Sequence, residues 1–551
     1  MAATLVEHIH QVTSNSSARL NVIDASGLVD SASWAEIYAC ARKRAGQLQT
    51  RGIGPGDRVA VLAFTSRAMI ESLLAISMCG AAIVVMPLPL RLSSEDAFVA
   101  MTRARLSASG AGLLLLDEFF TAHYEPGESD PPAVGLDELT TGSDTFNDVT
   151  VSGEELAVLQ FTSGSTQNPR AVRLPHRAIV NNMWSMSQGL ETGTDEVVVS
   201  WLPLYHDMGL IGTLLTPAAL PMGLTISAPQ AFLSRPAMWM EAASEFRATI
   251  ICAPNFGYAL ATRSLKRASG LDLSSIRAAL CGAEPVSLDT MQQFREVALG
   301  FGLGENALLP VYGLAETTLA VTFPGIADPL RSDTVDRALL EKGERAEPAA
   351  SGDTKRVVGL GHPLRGIALR VVDDTGAECT DRMVGEILVA TNAVMDGYDN
   401  HPEATADALR DGWLHTGDLG YLVDGELFVC GRKKDLIIVG GRNIWPEDVE
   451  EAAHEVPGVR AGNAIAFGVA SGRERESLVL VAETRSDAEQ AVATASAVAS
   501  VVKDRIGLAP REVLMLEAGA LPKTSSGKLQ RNLCRQWYLD GAIEPIAAHG
   551  N

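Results

Sequence analysis

The chain has 551 residues, more than one ordinary core holds, so its length predicts two to four domains. With 46% hydrophobic and 20% charged residues, the composition is typical of a soluble globular protein. The formal net charge of −22 argues against nucleic acid as a main partner, because 67 acidic side chains would repel a phosphate backbone and no run of lysines and arginines compensates.

Cysteine usage and hydropathy bear on the compartment. No two of the seven cysteines form a CxxC motif, which indicates that they are reduced core residues. Reduced cysteines predict a cytoplasmic location. The N-terminal stretch MAATLVEHIHQV has no sustained apolar run, so no secretory signal is predicted. The most apolar stretch, Gly209 to Leu224, is shorter than a membrane span and is broken by Pro217 and Pro221, which predicts no stable membrane insertion.

Buried strands alternate with amphipathic helices through the first half of the chain. The spacing predicts a helix over Trp34 to Leu48, a strand over Arg58 to Phe64 and a helix over Ala68 to Met78. Further strands are predicted at Ala81–Pro87, Gly112–Leu116, Leu156–Phe161, Val197–Trp201, Leu224–Ala228, Thr249–Pro254, Arg277–Cys281 and Leu308–Val311. This alternation predicts an α/β fold of layered, mostly parallel sheets with helices. Because ligands lie beyond the carboxyl ends of parallel strands, the turns at residues 162, 205, 282 and 312 are expected to face one crevice.

The pattern changes in the last third of the chain. Shorter alternating strands predict a small β subdomain over about residues 357–431. Before it, Arg331 to Lys355 is charged and poor in apolar residues, which predicts a surface insertion. After it, residues 432–551 have the size and pattern of a compact α+β unit, with a helix predicted at Pro446 to His454 and another at Asp487 to Arg505.

A run of small hydroxylated residues follows the predicted strand Leu156 to Phe161. In LQFTSGSTQNPRAVRLP, the residues Thr162-Ser163-Gly164-Ser165-Thr166 offer hydroxyl donors and let backbone N–H groups approach an anion. Arg170 adds a charged group close by. The spacing is not that of a Walker A loop. The run therefore predicts a phosphate-binding loop, with a plain surface loop as the alternative.

Seven motifs occur along the chain in a fixed order: FTSGSTQNPRAV, LPLYHDMGL, CGAEPV, VYGLAETT, LHTGDLG, GRKKDLIIVGGRNIWPEDVE and LPKTSSGKLQR. Together they resemble the adenylate-forming superfamily of acyl-CoA synthetases, carrier-protein adenylation domains and luciferases. The branch of fatty acyl-AMP ligases is the most similar, through SWLPLYHDMGLIG, VYGLAETTLAV, VDRALLEKG and KDLIIVGGRN. The resemblance implies a large N-terminal adenylating domain (1–431) and a small mobile C-terminal domain (432–551), with a hinge near Lys434.

The resemblance also implies the reaction. A fatty or other hydrophobic carboxylic acid would react with ATP and Mg²⁺ to give acyl-AMP and pyrophosphate. The acyl group would then pass to the phosphopantetheine thiol of an acyl carrier protein. Coenzyme A is the alternative acceptor, and a non-catalytic nucleotide- or acyl-binding relative is the third possibility.

Site residues follow motif by motif from the same resemblance. Those implied to hold the nucleotide are Thr162, Ser163, Gly164, Ser165 and Thr166 at the phosphates, Gly282, Ala283, Glu284, Tyr312 and Gly313 at the adenine, and Asp418 and Arg432 at the ribose. Glu316 is implied as the magnesium ligand, since an oxygen donor suits a hard cation. His206 is implied to gate the carboxylate pocket, and Lys528 to neutralise charge on the carboxylate and the α-phosphate.

Each of these residues also has an ordinary structural interpretation. Asp418 could cap a turn, Tyr312 could fill the core, and His206 could be a hydrogen-bonded structural histidine. Glu316 and Lys528 could simply face solvent. The order of the motifs, rather than any one residue, favours the functional interpretation.

Two departures from the family pattern affect the loop and the acceptor. In the loop, Gln167 and Ala171 stand where glycine is common, and Arg170 where lysine is usual. In the hinge-side motif, Gly440 and Ile444–Glu447 stand where fatty acyl-AMP ligases commonly have arginine and His-Tyr-Pro-Gln. The second departure is closer to the CoA-using pattern, so the choice between carrier protein and coenzyme A stays open.

The acid itself is predicted from the residues that follow His206. Leu210, Ile211 and Leu214 favour a hydrophobic carboxylate, and no clearly placed anchor for an amino group is present. The depth of the pocket depends on which of Met208, Phe256, Tyr258 and Leu319 project into it.

Overall fold

The computed structural model describes residues 4–13, 16–88, 95–140, 145–162, 170–220, 222–343, 345–470, 476–523 and 528–550. Within these ranges the α-helices are α1 (Leu5–Thr13), α2 (Trp34–Thr50), α3 (Arg67–Met78), α4 (Glu95–Ser109), α5 (Glu118–His123), α6 (His176–Gly189), α7 (Thr216–Ala219), α8 (Pro229–Ser234), α9 (Ala237–Glu245), α10 (Asn255–Leu265), α11 (Leu288–Ala298), α12 (Arg337–Glu341), α13 (Pro402–Ala408), α14 (Pro446–His454), α15 (Ala488–Ile506) and α16 (Arg531–Leu539).

The strands of the same ranges are β1 (Arg19–Asp24), β2 (Gly27–Ser33), β3 (Arg58–Leu62), β4 (Ala82–Val85), β5 (Leu113–Leu116), β6 (Ala133–Gly135), β7 (Leu156–Phe161), β8 (Ala171–Pro175), β9 (Val197–Ser200), β10 (Gly223–Ser227), β11 (Ile250–Ala253), β12 (Ala278–Cys281), β13 (Leu308–Pro310), β14 (Tyr312–Gly313), β15 (Ala320–Phe323), β16 (Ser332–Asp336), β17 (Thr354–Val358), β18 (His362–Pro363), β19 (Ile367–Val372), β20 (Gly385–Thr391), β21 (Leu409–Arg410), β22 (Trp413–Val423), β23 (Glu426–Arg432), β24 (Ile437–Val439), β25 (Arg442–Ile444), β26 (Val459–Ala470), β27 (Glu476–Thr484), β28 (Glu512–Glu517) and β29 (Ala547–Gly550).

Two mainly parallel sheets form the N-terminal core. One has the order β13-β12-β11-β9-β10-β1-β2 and the other β6-β5-β3-β4-β7-β8. Among the described strands of these two sheets, only the edge pairs β1–β2 and β7–β8 are antiparallel. Short aliphatic strands such as Leu113–Leu116 are fully buried, as expected for parallel strands covered on both faces. The predicted α/β class with layered, mostly parallel sheets is confirmed.

The third sheet brings two distant residues of the sequence together. It is antiparallel, with the order β19-β20-β22-β21 and with β23 paired to β22. In the β22–β23 register, Asp418 lies opposite Arg432. The β-rich region that the sequence predicts therefore places Asp418 and Arg432 next to each other.

The segment from Arg331 to Lys355 differs from the predicted surface insertion. Its β16 pairs with β17, α12 follows β16, and Val335 and Leu340 are fully buried. These apolar side chains are few, but they converge on a cluster that includes Tyr421 and Trp445. The prediction was wrong because the charged composition hid the small number of residues that form this core.

The last 115 residues or so form a four-stranded sheet, β26-β27-β28-β29, with α14 and α15 packed on it. An apolar cluster lies wholly within residues 437–547. Helix α15 begins after Asp487, whose side chain accepts a hydrogen bond from the Gln490 N–H, and ends at Gly507 with φ +70°. Local capping thus fixes both ends of the helix that the sequence predicts.

Two further observations concern the cysteines and the helices. Five of the seven cysteines are buried, and all seven are free thiols. No helix in the described ranges combines the length and the apolar character needed to cross a membrane.

Candidate active site

One cavity of about 2600 Å³ collects ten of the eleven predicted site residues that lie in the described part of the chain. It lies at the carboxyl ends of β7, β9, β12 and β13 and extends to the C-terminal part of the chain. Its lining includes Thr162, His206, Ala283, Glu284, Tyr312, Gly313, Glu316, Asp418, Arg432 and Lys528. Gly282 directly precedes Ala283 but is not itself part of the lining. Ser163, Gly164, Ser165 and Thr166 lie outside the described residues.

The two ends of the predicted phosphate loop are joined by hydrogen bonds. The Thr162 N–H donates to the Arg170 carbonyl at 2.9 Å, and the Thr162 hydroxyl donates to the same oxygen at 3.2 Å. The Arg170 guanidinium lies 5.4 Å from the centre of the Tyr398 ring. A positive charge is thereby held at the loop base and over an aromatic face.

Asp418 is buried between two donors. Tyr312 Oη donates to Asp418 Oδ2 at 2.7 Å, and Arg432 Nε lies 3.1 Å from Asp418 Oδ1. Burial raises the pKa of Asp418, whereas Arg432 and the Tyr312 hydroxyl oppose that rise. The sequence predicts Tyr312 at the adenine and does not predict its bond to Asp418.

Glu316 has a partner that sequence reasoning missed. It lies in the 3₁₀ turn Ala315–Thr317, and Tyr398 Oη donates to Glu316 Oε1 at 2.7 Å. Burial, followed by the Glu316 charge, raises the pKa of Tyr398, so the hydroxyl stays a donor. Nothing in the YGLAE motif points to a tyrosine 82 residues further on.

The described residues contain no group of three or more His, Cys, Asp or Glu side chains able to hold a metal by themselves. A magnesium ion commonly takes one or two protein carboxylates together with substrate phosphates and water. The single carboxylate of Glu316, oriented by Tyr398, fits that type of site.

Lys528 lies near two carboxylates that belong to different strand ends. Its charge acts on Asp207 and on Glu284, and it opposes the rise that burial causes in the pKa of each carboxyl. Burial in turn lowers the pKa of Lys528, and the two carboxylates act against this. The chain thus brings a lysine from its C-terminal end into the crevice formed by the parallel strands.

His206 is neutral in this environment. Burial, and then the nearby Lys528 charge, lower the pKa of His206 to about 3. Its Nε2 is buried and has no hydrogen-bond partner among the described residues. A neutral imidazole of this kind can offer a hydrogen bond to a substrate without adding charge.

The turn that carries His206 depends on a close backbone approach. A Cβ at Gly209 would lie 2.1 Å from the Pro203 carbonyl oxygen, so only glycine fits there. The Asp207 side chain accepts from the Met208 N–H at 2.7 Å, at the start of a π-helix over Met208–Leu215. Asp207 was not among the predicted site residues, although it directly follows His206 in LPLYHDMG.

The comparisons with known proteins agree with this geometry. A family model described as AMP-binding enzyme matches residues 10–399. The chain belongs to this family. It is 34% identical over 545 residues to a 4-hydroxyphenylalkanoate adenylyltransferase of Mycobacterium marinum, covering 94% of this chain and 87% of that one. The medium-chain-fatty-acid (acyl-carrier-protein) ligase JamA of Moorena producens is 35% identical over 415 residues, 72% of this chain and 69% of JamA.

A solved structure from work on the fatty acyl-adenylate ligases of E. coli and L. pneumophila superposes with a TM-score of 0.92. It is 32% identical, and the match covers 98% of both chains. The predicted resemblance to adenylate-forming enzymes, with fatty acyl-AMP ligases most similar, is confirmed. This AMP-binding enzyme is an adenylate-forming acyl ligase.

The apolar part of the cavity of this AMP-binding enzyme differs in detail from the prediction. Met208, Phe256 and Leu319 line it, as the sequence allows, whereas the Tyr258 hydroxyl donates to the Leu280 carbonyl instead. The three aliphatic residues predicted to favour a hydrophobic acid are fully buried but are not part of the lining; they are Leu210, Ile211 and Leu214. The π-helix turns these side chains into the core and leaves Met208 and Gly212 facing the cavity.

Proposed function

We propose that the protein activates a fatty or other hydrophobic carboxylic acid with ATP and passes the acyl group to the phosphopantetheine thiol of an acyl carrier protein. The observation that carries the proposal is Lys528, whose charge acts on Asp207 and Glu284 within the same cavity as Asp418 and Glu316. A cation there can neutralise charge where a carboxylate meets the α-phosphate.

In the first half-reaction, a carboxylate oxygen attacks the α-phosphorus of ATP. The new bond joins that oxygen to phosphorus, the bond from phosphorus to the bridging oxygen breaks, and pyrophosphate leaves. Catalysis of this type depends mainly on positioning and charge neutralisation. Lys528 supplies the charge, and neutral His206 borders the carboxylate pocket without repelling Lys528.

The nucleotide would be held at both ends. Thr162 and Arg170, with Ser163 to Thr166, would hold the β- and γ-phosphates, and Asp418 with Arg432 would hold the ribose hydroxyls. Gly282 to Glu284, Tyr312 and Gly313 would border the adenine. Glu316 would hold Mg²⁺, which supplies charge neutralisation at the phosphates when bound.

In the second half-reaction, a thiol attacks the carbonyl carbon of acyl-AMP. A carbon–sulfur bond forms as the thiol releases its proton to solvent, the carbon–oxygen bond to phosphate breaks, and AMP leaves. We propose that residues 432–551 form a mobile domain that turns about Lys434, withdrawing Lys528 and bringing residues 440–443 to the site. Gly440 and Gly441 have φ of +61° and +80°, a tight turn without side chains that could obstruct an approaching thiol.

The hydrophobic acid is supported by the side chains of the cavity wall. Trp201, Met208, Phe256, Leu260 and Leu319 line it. Such a surface favours an alkyl or aryl chain, since about 0.8 kcal/mol is gained for each buried CH₂ group. Relatives named for medium-chain fatty acids and for 4-hydroxyphenylalkanoates agree with both chain types.

The acceptor has two candidates. JamA is named for transfer to an acyl carrier protein, and an acyl carrier protein is the acceptor proposed here. Coenzyme A is the second candidate, because the segment from Gly440 to Glu447 carries the pattern closer to CoA-using enzymes. The free thiols of the chain suit a cytoplasmic setting, where both acceptors occur.

A panel of acids tests the proposal. Pyrophosphate release is measured with ATP, Mg²⁺ and acids of graded chain length, together with amino acids, and then with holo carrier protein or coenzyme A. We expect release with hydrophobic acids and a thioester on the carrier. Activity with amino acids alone would refute the choice of acid, and a thioester on coenzyme A alone would favour the second acceptor. No release with any acid would leave a non-catalytic binding role.

A further inference from the structure

Arg531 lies among three carboxylates. Its Nη1 is 3.2 Å from Asp435 Oδ2, and its Nη2 is 3.3 Å from Glu447 Oε1 and 2.9 Å from Glu450 Oε1. The four side chains are only 12–27% exposed. We call Arg531 and its three partners, Asp435, Glu447 and Glu450, the carboxylate cluster. One guanidinium therefore holds three acidic groups that have little contact with water.

The carboxylate cluster joins separate elements of the fold. Asp435 ends the 3₁₀ turn Lys433–Asp435, next to the proposed hinge. Glu447 and Glu450 lie one turn apart on α14, and Glu450 Oε1 also accepts the Ala466 N–H of β26 at 2.9 Å. Arg531 begins α16. The guanidinium thus fixes the start of α16 to the hinge turn and to α14.

Lys528 lies three residues before this anchor. The Gln530 N–H donates to the Pro522 carbonyl at 2.9 Å, and Lys523 and Leu529 form an isolated β-bridge. These contacts close the base of the segment that carries the lysine. Arg531 directly follows the base, so its position determines where the base lies relative to the hinge turn.

Some polar atoms of the carboxylate cluster are buried without a partner. Asp435 Oδ1, Glu447 Oε2 and Arg531 Nε are buried without a hydrogen-bond partner in the described part of the chain. Burial raises the pKa of Glu450 to about 7, with a further contribution from Glu447, although Arg531 opposes the rise. Well-packed apolar residues often replace buried ion pairs without loss of stability. The buried charges of this cluster therefore indicate a role other than stabilising the fold.

We propose that Arg531 is a positioning residue for Lys528, which holds the base of the lysine segment against the hinge turn and α14 so that the lysine reaches the carboxylate pocket. The inference rests on the proposed adenylation reaction. Arg531 lines the same cavity as Lys528, but its guanidinium is bound to the three carboxylates and in this scheme contacts neither substrate nor nucleotide. Arg531 affects adenylation only by positioning Lys528. A double-mutant cycle of the two residues therefore tests the inference.

The test compares Arg531→Met, Lys528→Ala and the double variant in pyrophosphate release. Arg531→Met should lower kcat about 10- to 100-fold with KM for ATP nearly unchanged, since misplacing a catalytic group by about 1 Å costs on that order. In the Lys528→Ala background the same change should have no further effect, because residues that act as one unit are not additive. Transfer from supplied acyl-AMP should stay within about threefold of wild type.

Arg535→Met is the matched control. Arg535 lies one turn further along α16 and donates to the Gly468 carbonyl at 2.9 Å, rather than to a carboxylate of the cluster. It should leave kcat for adenylation unchanged. Arg531→Lys, which keeps the charge, should recover part of the rate and covers the case in which Arg531→Met does not fold. Equal effects of Arg531→Met with and without Lys528 would overturn the inference.

Failure of the inference and failure of the proposed function are distinguishable. Wild-type protein that releases no pyrophosphate with any acid counts against the proposed function. In that case hydrogen–deuterium exchange of residues 521–530 still tests the positioning role. Arg531→Met is expected to raise exchange there while Arg535→Met does not, and unchanged exchange in both variants would overturn the inference.

Discussion

Lys528 is the residue whose removal should separate the two half-reactions. It lies near Asp207 and Glu284 in this structure and would neutralise charge only while the carboxylate attacks phosphorus. Lys528→Ala should therefore lower adenylation about 10²- to 10³-fold, the cost of removing one preorganised donor. Transfer from supplied acyl-AMP should be largely retained. Stopped-flow pyrophosphate release and thioester mass spectrometry measure the two steps, and wild-type adenylation rates in the variant would contradict the assignment.

Asp418 tests the nucleotide site at the same scale. Asp418→Asn keeps the shape but removes the charge that faces Arg432 and that would accept the ribose hydroxyls. A hydrogen bond to a charged group is worth about 1.5–3 kcal/mol, so ATP should bind about 10- to 100-fold more weakly. Calorimetric titration of ATP measures this. Asp424→Asn, in an exposed turn, is the control, and equal ATP affinity in both variants would refute the ribose role.

The sequence predicts which residues enter the cavity better than it predicts their partners. The motifs identify Asp418, Glu316 and Lys528 as site residues, because each lies in a short recognisable string. They do not give Tyr398 as the partner of Glu316 or the Tyr312–Asp418 bond, which joins residues 106 positions apart. Such pairs depend on how distant segments of the chain approach one another, and single-sequence patterns carry no information about that approach.

At the scale of elements, the antiparallel pair β16–β17 and α12 form ion pairs with the C-terminal part of the chain in this structure. Asp448 of α14, only 9% exposed, pairs with Arg337 at 2.9 Å and with Lys355 at 2.8 Å. Arg442 of β25 likewise pairs with Glu341 of α12 at 2.6 Å. The segment from Arg331 to Lys355 therefore contacts both α14 and the turn proposed to approach the thiol.

Asp448→Asn should loosen this contact. Two partly buried cations lose their common carboxylate, at a cost of about 2 kcal/mol. Hydrogen–deuterium exchange of β16 and β17 should rise. The control is Asp353→Asn, which removes an exposed partner of the same Arg337 and should cost well under about 1 kcal/mol. Equal exchange in the two variants would show that Asp448 does not hold the segment.

Local patterns predict regular elements well where capping and hydrophobic period agree. Helix α14 has the predicted bounds, and α15 differs from its prediction by one residue at each end. The π-helix at Met208–Leu215 was not predictable from a 3.6-residue period, so the wrong aliphatic residues were expected at the acyl pocket. The segment from Arg331 to Lys355 was misjudged for a similar reason, since tertiary contacts with Tyr421 and Trp445 compensate for its polar composition.

At the scale of the whole molecule, we propose that one cavity joins acid, nucleotide and lysine for adenylation. The layered α/β fold follows from alternating strands and helices, but the approach of Lys528 to the carboxyl ends of distant strands follows only from the assembled chain. An acid labelled with ¹⁸O in its carboxyl group tests the claim most directly. After turnover with ATP and an acceptor thiol, AMP should carry one ¹⁸O atom, because the attacking oxygen stays on phosphorus when the thioester forms. Unlabelled AMP, or cleavage of ATP to ADP and phosphate, would contradict adenylation by this site.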